Sequence, residues 1–196
     1  MLSPASPLRE AHTPARHGRP DGEPGIVITF HDRSTCWLLL PFRGHATVVA
    51  DLVKKHVGVA PPDRPSAVAA SSEIAVIWVG PMAWATVAKC QMELPNELME
   101  GLTGKAALID QSDGRVLLEL RGKCSIALLA KGMEPDFHHA KFPDGTAASG
   151  MLAHLSVQVW RLDGRYFILA PRSSIADLWH WLIEQSLEFG VEIKPC

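Results

Sequence analysis

From residue 26 onward, apolar residues come in short strand-sized runs rich in β-branched and aromatic side chains, with stretches of helical spacing between them. Such a chain must pack sheets against helices, because a period of two buries one face of a strand and a period of 3.6 buries one stripe of a helix. Strands are predicted at 26–29, 36–40, 74–79, 84–89 and 106–109. After the second of these, Val48, Val49, Leu52 and Val53 recur at helical spacing, and Gly58 supplies a stop. Pro61, Pro62 and Pro65 make a loop, since they suit neither a helix interior nor a central strand. A short helix at 96–101 then leads to the last strand of this half. The order of strand, helix, two strands, helix and strand is the split βαβ pattern of ferredoxin-like folds.

The remainder of the chain nearly repeats that order. Val116, Leu118 and Leu120 alternate with Leu117 and Glu119 in a strand at 115–120, and a helix at 124–131 ends at Gly132. Further strands are predicted at 151–155, 157–162 and 166–170, before a final helix. The predicted fold class is therefore α+β: two ferredoxin-like βαββαβ-type half-domains, roughly 26–110 and 111–196, sharing one core. Residues 1–25 hold five prolines and hardly any bulky apolar side chains, so they are expected to form a flexible arm.

The chain has 196 residues, 47% of them hydrophobic, enough for one sizeable core. A formal net charge of −2 without a basic stripe argues against nucleic-acid binding, which relies on positive surface to displace counterions. Cys36, Cys90, Cys124 and Cys196 stand far apart with no CxxC pair, and read as reduced thiols. The longest apolar runs are strand-sized, against roughly 20 residues for a membrane span. A soluble, cytoplasmic protein is expected.

The final helix is the best-defined element. Ser174 and Asp177 make a capping-box-like start, and Gly190 is a natural stop. At 100° per residue Ile175, Leu178, Trp179, Leu182, Ile183 and Phe189 form one stripe, opposite Asp177, Glu184 and Glu188. Trp181 falls among the acids. Two readings stand: an aromatic anchor for a partner, or a ring covered by a neighbouring loop of its own chain.

Candidates for chemistry are loose. Asp136, His138, His139 and His154 include metal-ligand types, but adjacent histidines point opposite ways in extended chain, which favours a structured loop. Ser173 lacks a G-x-S-x-G context and reads as a helix-cap residue, while Arg172 beside it is suited to an anion or a partner's carboxylate. No G-x-G-x-x-G or Walker loop occurs, and the two Asp-Gly-Arg triplets at 113–115 and 163–165 read as turns. No catalytic, cofactor-binding or metal-binding residue is assigned.

Several segments in order resemble one family. The stretch ALIDQSDGRVLLEL at 107–120, then Gly122 and LLAKG at 128–132, resembles the gamma subunit of heterotetrameric sarcosine oxidases. So do Asp136-Phe137-His138, FPDG at 142–145, Trp160-Arg161-Leu162, Pro171-Arg172-Ser173, and LWHWL at 178–182. Upstream, IWVGP at 77–81 with Trp84 is similar to the family's Trp-x-Gly-Pro-x-x-Trp segment, and Ser6-Pro7-Leu8 to its N-terminal arm. The chain departs from the family pattern at Ser174, where Phe is usual, and at Met82-Ala83, where an acidic pair often stands.

The resemblance implies a fold similar to the folate-binding domain of the glycine-cleavage aminomethyltransferase. It implies a non-catalytic gamma subunit with an assembly or stabilising role, inactive alone, in a complex that demethylates sarcosine to glycine with tetrahydrofolate as one-carbon acceptor. The implied partners are alpha, beta and delta subunits, which would carry the FAD, FMN, NAD, tetrahydrofolate and zinc. Trp181, Arg172, Pro7 and Leu8 are the expected contacts with those partners. A gamma-like subunit of a related complex such as N-methylglutamate dehydrogenase, or a stand-alone folate-binding aminomethyltransferase-like protein, are the alternatives.

Overall fold

A computed structural model of the chain describes residues 6–8, 13–19 and 22–195. In chain order its elements are β1 (Ala15–His17), β2 (Ile26–His31), β3 (Thr35–Pro41), α1 (Ala46–Val57), β4 (Val68–Ala70), β5 (Ile74–Gly80), β6 (Ala83–Ala88), α2 (Asn96–Leu102) and β7 (Ala106–Asp110). There follow β8 (Arg115–Arg121), α3 (Ser125–Ala130), β9 (Ala147–Leu152), β10 (Leu155–Leu162), β11 (Arg165–Pro171), α4 (Ile175–Ser186) and β12 (Val191–Lys194). The strands form a five-stranded sheet ordered β4-β5-β6-β3-β7 and a seven-stranded sheet ordered β1-β12-β2-β8-β11-β10-β9.

Each sheet contains the predicted βαββαβ unit. In the five-stranded sheet it is β3, α1, β5, β6, α2 and β7, with the strands adjacent as β5-β6-β3-β7 and every pair antiparallel. In the seven-stranded sheet it is β8, α3, β10, β11, α4 and β12. Here the structure differs from the sequence reading at one strand: β2, the first of the predicted strands, lies in the sheet of the second half. It is inserted between β12, to which it runs parallel, and β8, to which it runs antiparallel. The two halves are thereby interlocked. Apolar alternation marks 26–31 as a strand but carries no information about which neighbour supplies the ladder.

Four layers result. Helices α1 and α2 cover the outer face of the five-stranded sheet, where Val49, Val53, Leu98 and Leu102 pack on Trp37, Leu39 and Val76. Helices α3 and α4 cover the seven-stranded sheet, with Leu128, Leu129, Leu178 and Leu182 against Ile26, Ile28, Leu118 and Ile168. The inner faces meet through Cys36, Ile77 and Val87 on one side and Leu117, Trp160 and Phe167 on the other. Trp160 and Phe167 stack with centroids 5.6 Å apart. Fully burying one such side chain contributes about 1.5–3 kcal/mol, so the shared layer is a large part of what joins the halves.

Several boundaries depart from expectation. The strand predicted at 151–155 spans a turn: β9 ends at Leu152, and Ala153 and His154 reverse the chain with φ of 50° and 67°. A two-residue hairpin usually announces itself with Asn or Gly, and this one has neither. The short strands β1 and β4, and β12 after Gly190, were not legible. The N-terminal segment is also tied down in part, since Leu8 is buried in the core under α4 and β1 pairs with β12. No helix among the described residues is long and apolar enough to cross a membrane.

Candidate partner interface

Helix α4 buries Ile175, Leu178, Trp179 and Leu182 and exposes Asp177 and Glu184, as its spacing predicts, with Glu188 exposed in the 3-10 turn that follows. Its start differs. Ser174 makes no side-chain cap bond; instead the chain enters through a 3-10 turn at Arg172–Ser174. That turn satisfies early helix groups through shorter i to i+3 bonds. Ser173 sits exposed within it. At the far end Gly190, with φ 73°, breaks the helix and delivers the chain to β12.

Trp181 is half-buried, and its ring lies over Gly132 at the end of α3, so close that a β-carbon there would stand 2.6 Å from it. Lys131 reinforces the junction by donating to the Gln185 carbonyl at 2.8 Å and pairing with Glu188. The reading of a ring covered by its own chain thus accounts for only part of it. One portion packs on its own chain, and the remainder lines an open cavity of about 1070 Å³ with Met133, Met151, His154 and Asp177.

The other expected contacts lie elsewhere. Pro7 and Leu8 border a groove of about 500 Å³ on the opposite flank of α4, beside Trp179, Ile183 and Ile193. Leu8 is 5% exposed, so its side chain serves this chain's own core, while Pro7 remains half-exposed. Arg172 borders a third depression and stands 3.8 Å from Asp32. Its charge therefore faces a carboxylate of its own chain. The four residues are not brought together into one site.

The polar loop at 136–145 is built for structure. The Asp136 carboxylate accepts from the His138 amide at 2.9 Å, and the His138 ring accepts from the Ala140 amide at 3.3 Å. Phe137 and Phe142 are buried against Tyr166, whose hydroxyl donates to the Phe137 carbonyl at 3.1 Å. Among the described residues no group of three or more His, Cys, Asp or Glu is placed to hold a metal ion. Both Asp-Gly-Arg triplets are turns, at β7–β8 and at β10–β11, and Asp163 and Gly164 take positive φ in the second.

One polar cluster escaped the sequence reading. Glu119, on the inner face of β8, is 7% exposed; Arg165 reaches it at 3.0 Å and His31 at 3.7 Å. The close contact with His31, followed by the charges of Arg165 and Lys89, holds its carboxyl below the ordinary value although burial opposes this. The alternation of 115–120 places Glu119 on that face, but its partners come from strands distant in sequence. Cys36 is the opposite case: burial pushes its thiol up to about 12.

Comparison with known proteins adds a consistent set of relatives. Residues 43–188 match the model of the "Sarcosine oxidase, gamma subunit family". The chain is 33% identical over 139 residues to a sarcosine oxidase subunit gamma of Corynebacterium sp. (strain P-1), covering 69% of this chain and 68% of that one. It is 32% identical over 150 residues to the Arthrobacter sp. subunit gamma, covering 75% and 71%. Among solved structures it superposes on a chain of the heterotetrameric sarcosine oxidase from Corynebacterium sp. U-96, in complex with pyrrole 2-carboxylate, with TM-score 0.78 and 26% identity over 96% of this chain and 97% of that chain. It shares its fold with the glycine cleavage system aminomethyltransferase T from Bartonella henselae, at TM-score 0.58 and 15% identity, across 96% of this chain and 51% of that one. With most of its length matched in sequence and nearly all of it in structure, the chain belongs to the sarcosine oxidase gamma subunit family.

Proposed function

We propose that this chain is the non-catalytic gamma subunit of a heterotetrameric sarcosine oxidase, where it holds the assembly together while the redox reaction runs on partner chains. The observation that carries the reading is the match along almost the whole length of a chain of the Corynebacterium enzyme. The internal engagement of its polar residues supports it: Asp136 and His138 close a loop, Arg172 faces Asp32, and Cys36 is buried with a raised pKa. In this reading alpha, beta and delta subunits are the partners and carry FAD, FMN, NAD, the tetrahydrofolate site and zinc. The complex converts sarcosine to glycine in the cytoplasm, and Trp181 and Pro7, on opposite flanks of α4, offer separate contact surfaces to the partners.

The test is co-purification of the tagged chain from its native source. Flavoprotein chains with sarcosine-oxidising activity should accompany it, and the complex prepared without it should lose stability or activity. Oxidation of sarcosine by the isolated chain would overturn the non-catalytic role. Activity of the captured complex on N-methylglutamate rather than sarcosine would reassign the substrate.

A further inference from the structure

The two sheets overlap only in part, and the uncovered end of the larger one has a distinctive charge. Strand register arranges its inward-facing side chains in rows. One row runs Lys194, Thr29, Glu119, Phe167, Trp160. Its far end is buried beneath the five-stranded sheet, whereas Thr29 is half-exposed and the Lys194 side chain is 42% exposed. The neighbouring row runs Arg16, Glu192, Val27, Arg121, and Arg165 stands next in it on β11. Strands β1, β12 and β2 thus run past the cover that buries β10 and β11.

On this strip four cations face two carboxylates, although the whole chain carries a net charge of −2. Glu192 is shared by Arg16 at 3.4 Å and Lys194 at 3.8 Å, and Glu119 is taken by Arg165. That leaves Arg121. Its Nε is buried without a hydrogen bond, and no ion pair among the described residues reaches its guanidinium. A half-buried guanidinium without an acceptor is costly, and its planar fork is suited to a carboxylate.

We propose that this uncovered end of the seven-stranded sheet receives an acidic segment of a partner subunit, with a carboxylate of that segment bound by Arg121. The inference rests on the reading of the chain as a subunit of a larger enzyme. Within a complex the segment would supply the missing acceptor and the opposite charge, and the contact would be sensitive to salt because the screening length falls from about 10 Å at 0.1 M to about 3 Å at 1 M.

The test uses the complex reconstituted from its own subunits, with retention on the tagged chain measured across a salt series. Arg121→Glu should lower retention by about tenfold near 0.1 M salt and flatten the salt dependence, while Lys55→Glu on α1 should change neither. Arg121→Met and Arg121→Lys guard against misfolding: with melting temperatures unchanged, the first should lose retention and the second keep it. Equal retention of Arg121→Met and wild type would overturn the proposal. If even the wild-type chain retains no flavoprotein chains, the subunit reading itself fails, a result distinct from failure of Arg121 alone.

Discussion

The indole of Trp181 rests on Gly132, and a β-carbon on that glycine would stand 2.6 Å from two ring carbons. The contact couples the end of α3 to the outer flank of α4. Gly132→Ala should therefore push the ring outward and lower stability by about 1 kcal/mol, as overpacking does. In a Trp181→Ala background the same change should cost less, since the ring clash is gone and only the flexible end of Leu152, 3.0 Å from the added carbon, has to give. Urea denaturation of the four-variant cycle measures this coupling; additive effects would show that the ring does not constrain the glycine.

The portion of Trp181 left open to the cavity beside Met133 and Met151 is the part available to a partner. If it serves as an anchor, Trp181→Ala should weaken assembly by about 2 kcal/mol or more, the usual cost of losing an interface hot spot. Retention of partner chains should then fall at temperatures where the isolated variant is still folded. Melting of the isolated chain ahead of any loss of assembly would place the ring's role inside its own fold.

A tighter approach joins the two halves. Gly122 has φ of 121°, and its β-carbon position lies 2.3 Å from the Gly25 carbonyl oxygen, just where β2 enters the second sheet. That oxygen also accepts from the Cys124 amide at 3.0 Å. Gly122→Ala should cost about 3 kcal/mol or more, because backbone strain and a backbone clash act together. Calorimetry should show a single transition moved to lower temperature; an unchanged midpoint would mean the crossing is loose.

Legibility in the sequence followed physical range. The stripe of α4 and its stop at Gly190 depend on neighbours within a few turns, and periodicity reports those directly. The alternation of 115–120 likewise separates the helix-facing Val116, Leu118 and Leu120 from Leu117 and Glu119. What depends on distant partners was hidden. A lone Leu8 in a proline-rich segment gives no sign that it fills a gap beneath α4, and β2 gives none of its pairing with β12. The candidate interface was legible at Trp181 as an aromatic among acids. Arg121 was missed, because the charge of the strip appears only when register aligns β1, β12, β2 and β8.

The thiols should differ sharply in reactivity. Cys90 is exposed, whereas Cys36 is buried between the sheets with its pKa raised to about 12, and only a thiolate attacks alkylating reagents. Iodoacetamide at neutral pH should modify Cys90 promptly and Cys36 only after unfolding, as read by peptide mass mapping over time. Early modification of Cys36 would show that the layer between the sheets opens readily.

Glu119 links the inner layer to pH. Its carboxyl is held below the ordinary value of 4.5 by His31 first, then Arg165 and Lys89. Because the folded-state pKa is depressed, the unfolded chain binds more protons in the window between the folded pKa and 4.5. The contribution of Glu119 is thus fully present above that window and is lost as pH falls through the folded pKa. Glu119→Gln removes the titrating group and leaves Arg165 without its carboxylate, so the variant should be less stable at neutral pH by about 1–3 kcal/mol. Arg165 is 45% exposed, which keeps the cost toward the lower end. On acidification the variant should lose stability less steeply than the wild type, so that the two curves converge. Denaturant titrations between pH 3.5 and 7 compare the slopes, and parallel curves would mean that Glu119 pairs equally well in the unfolded chain.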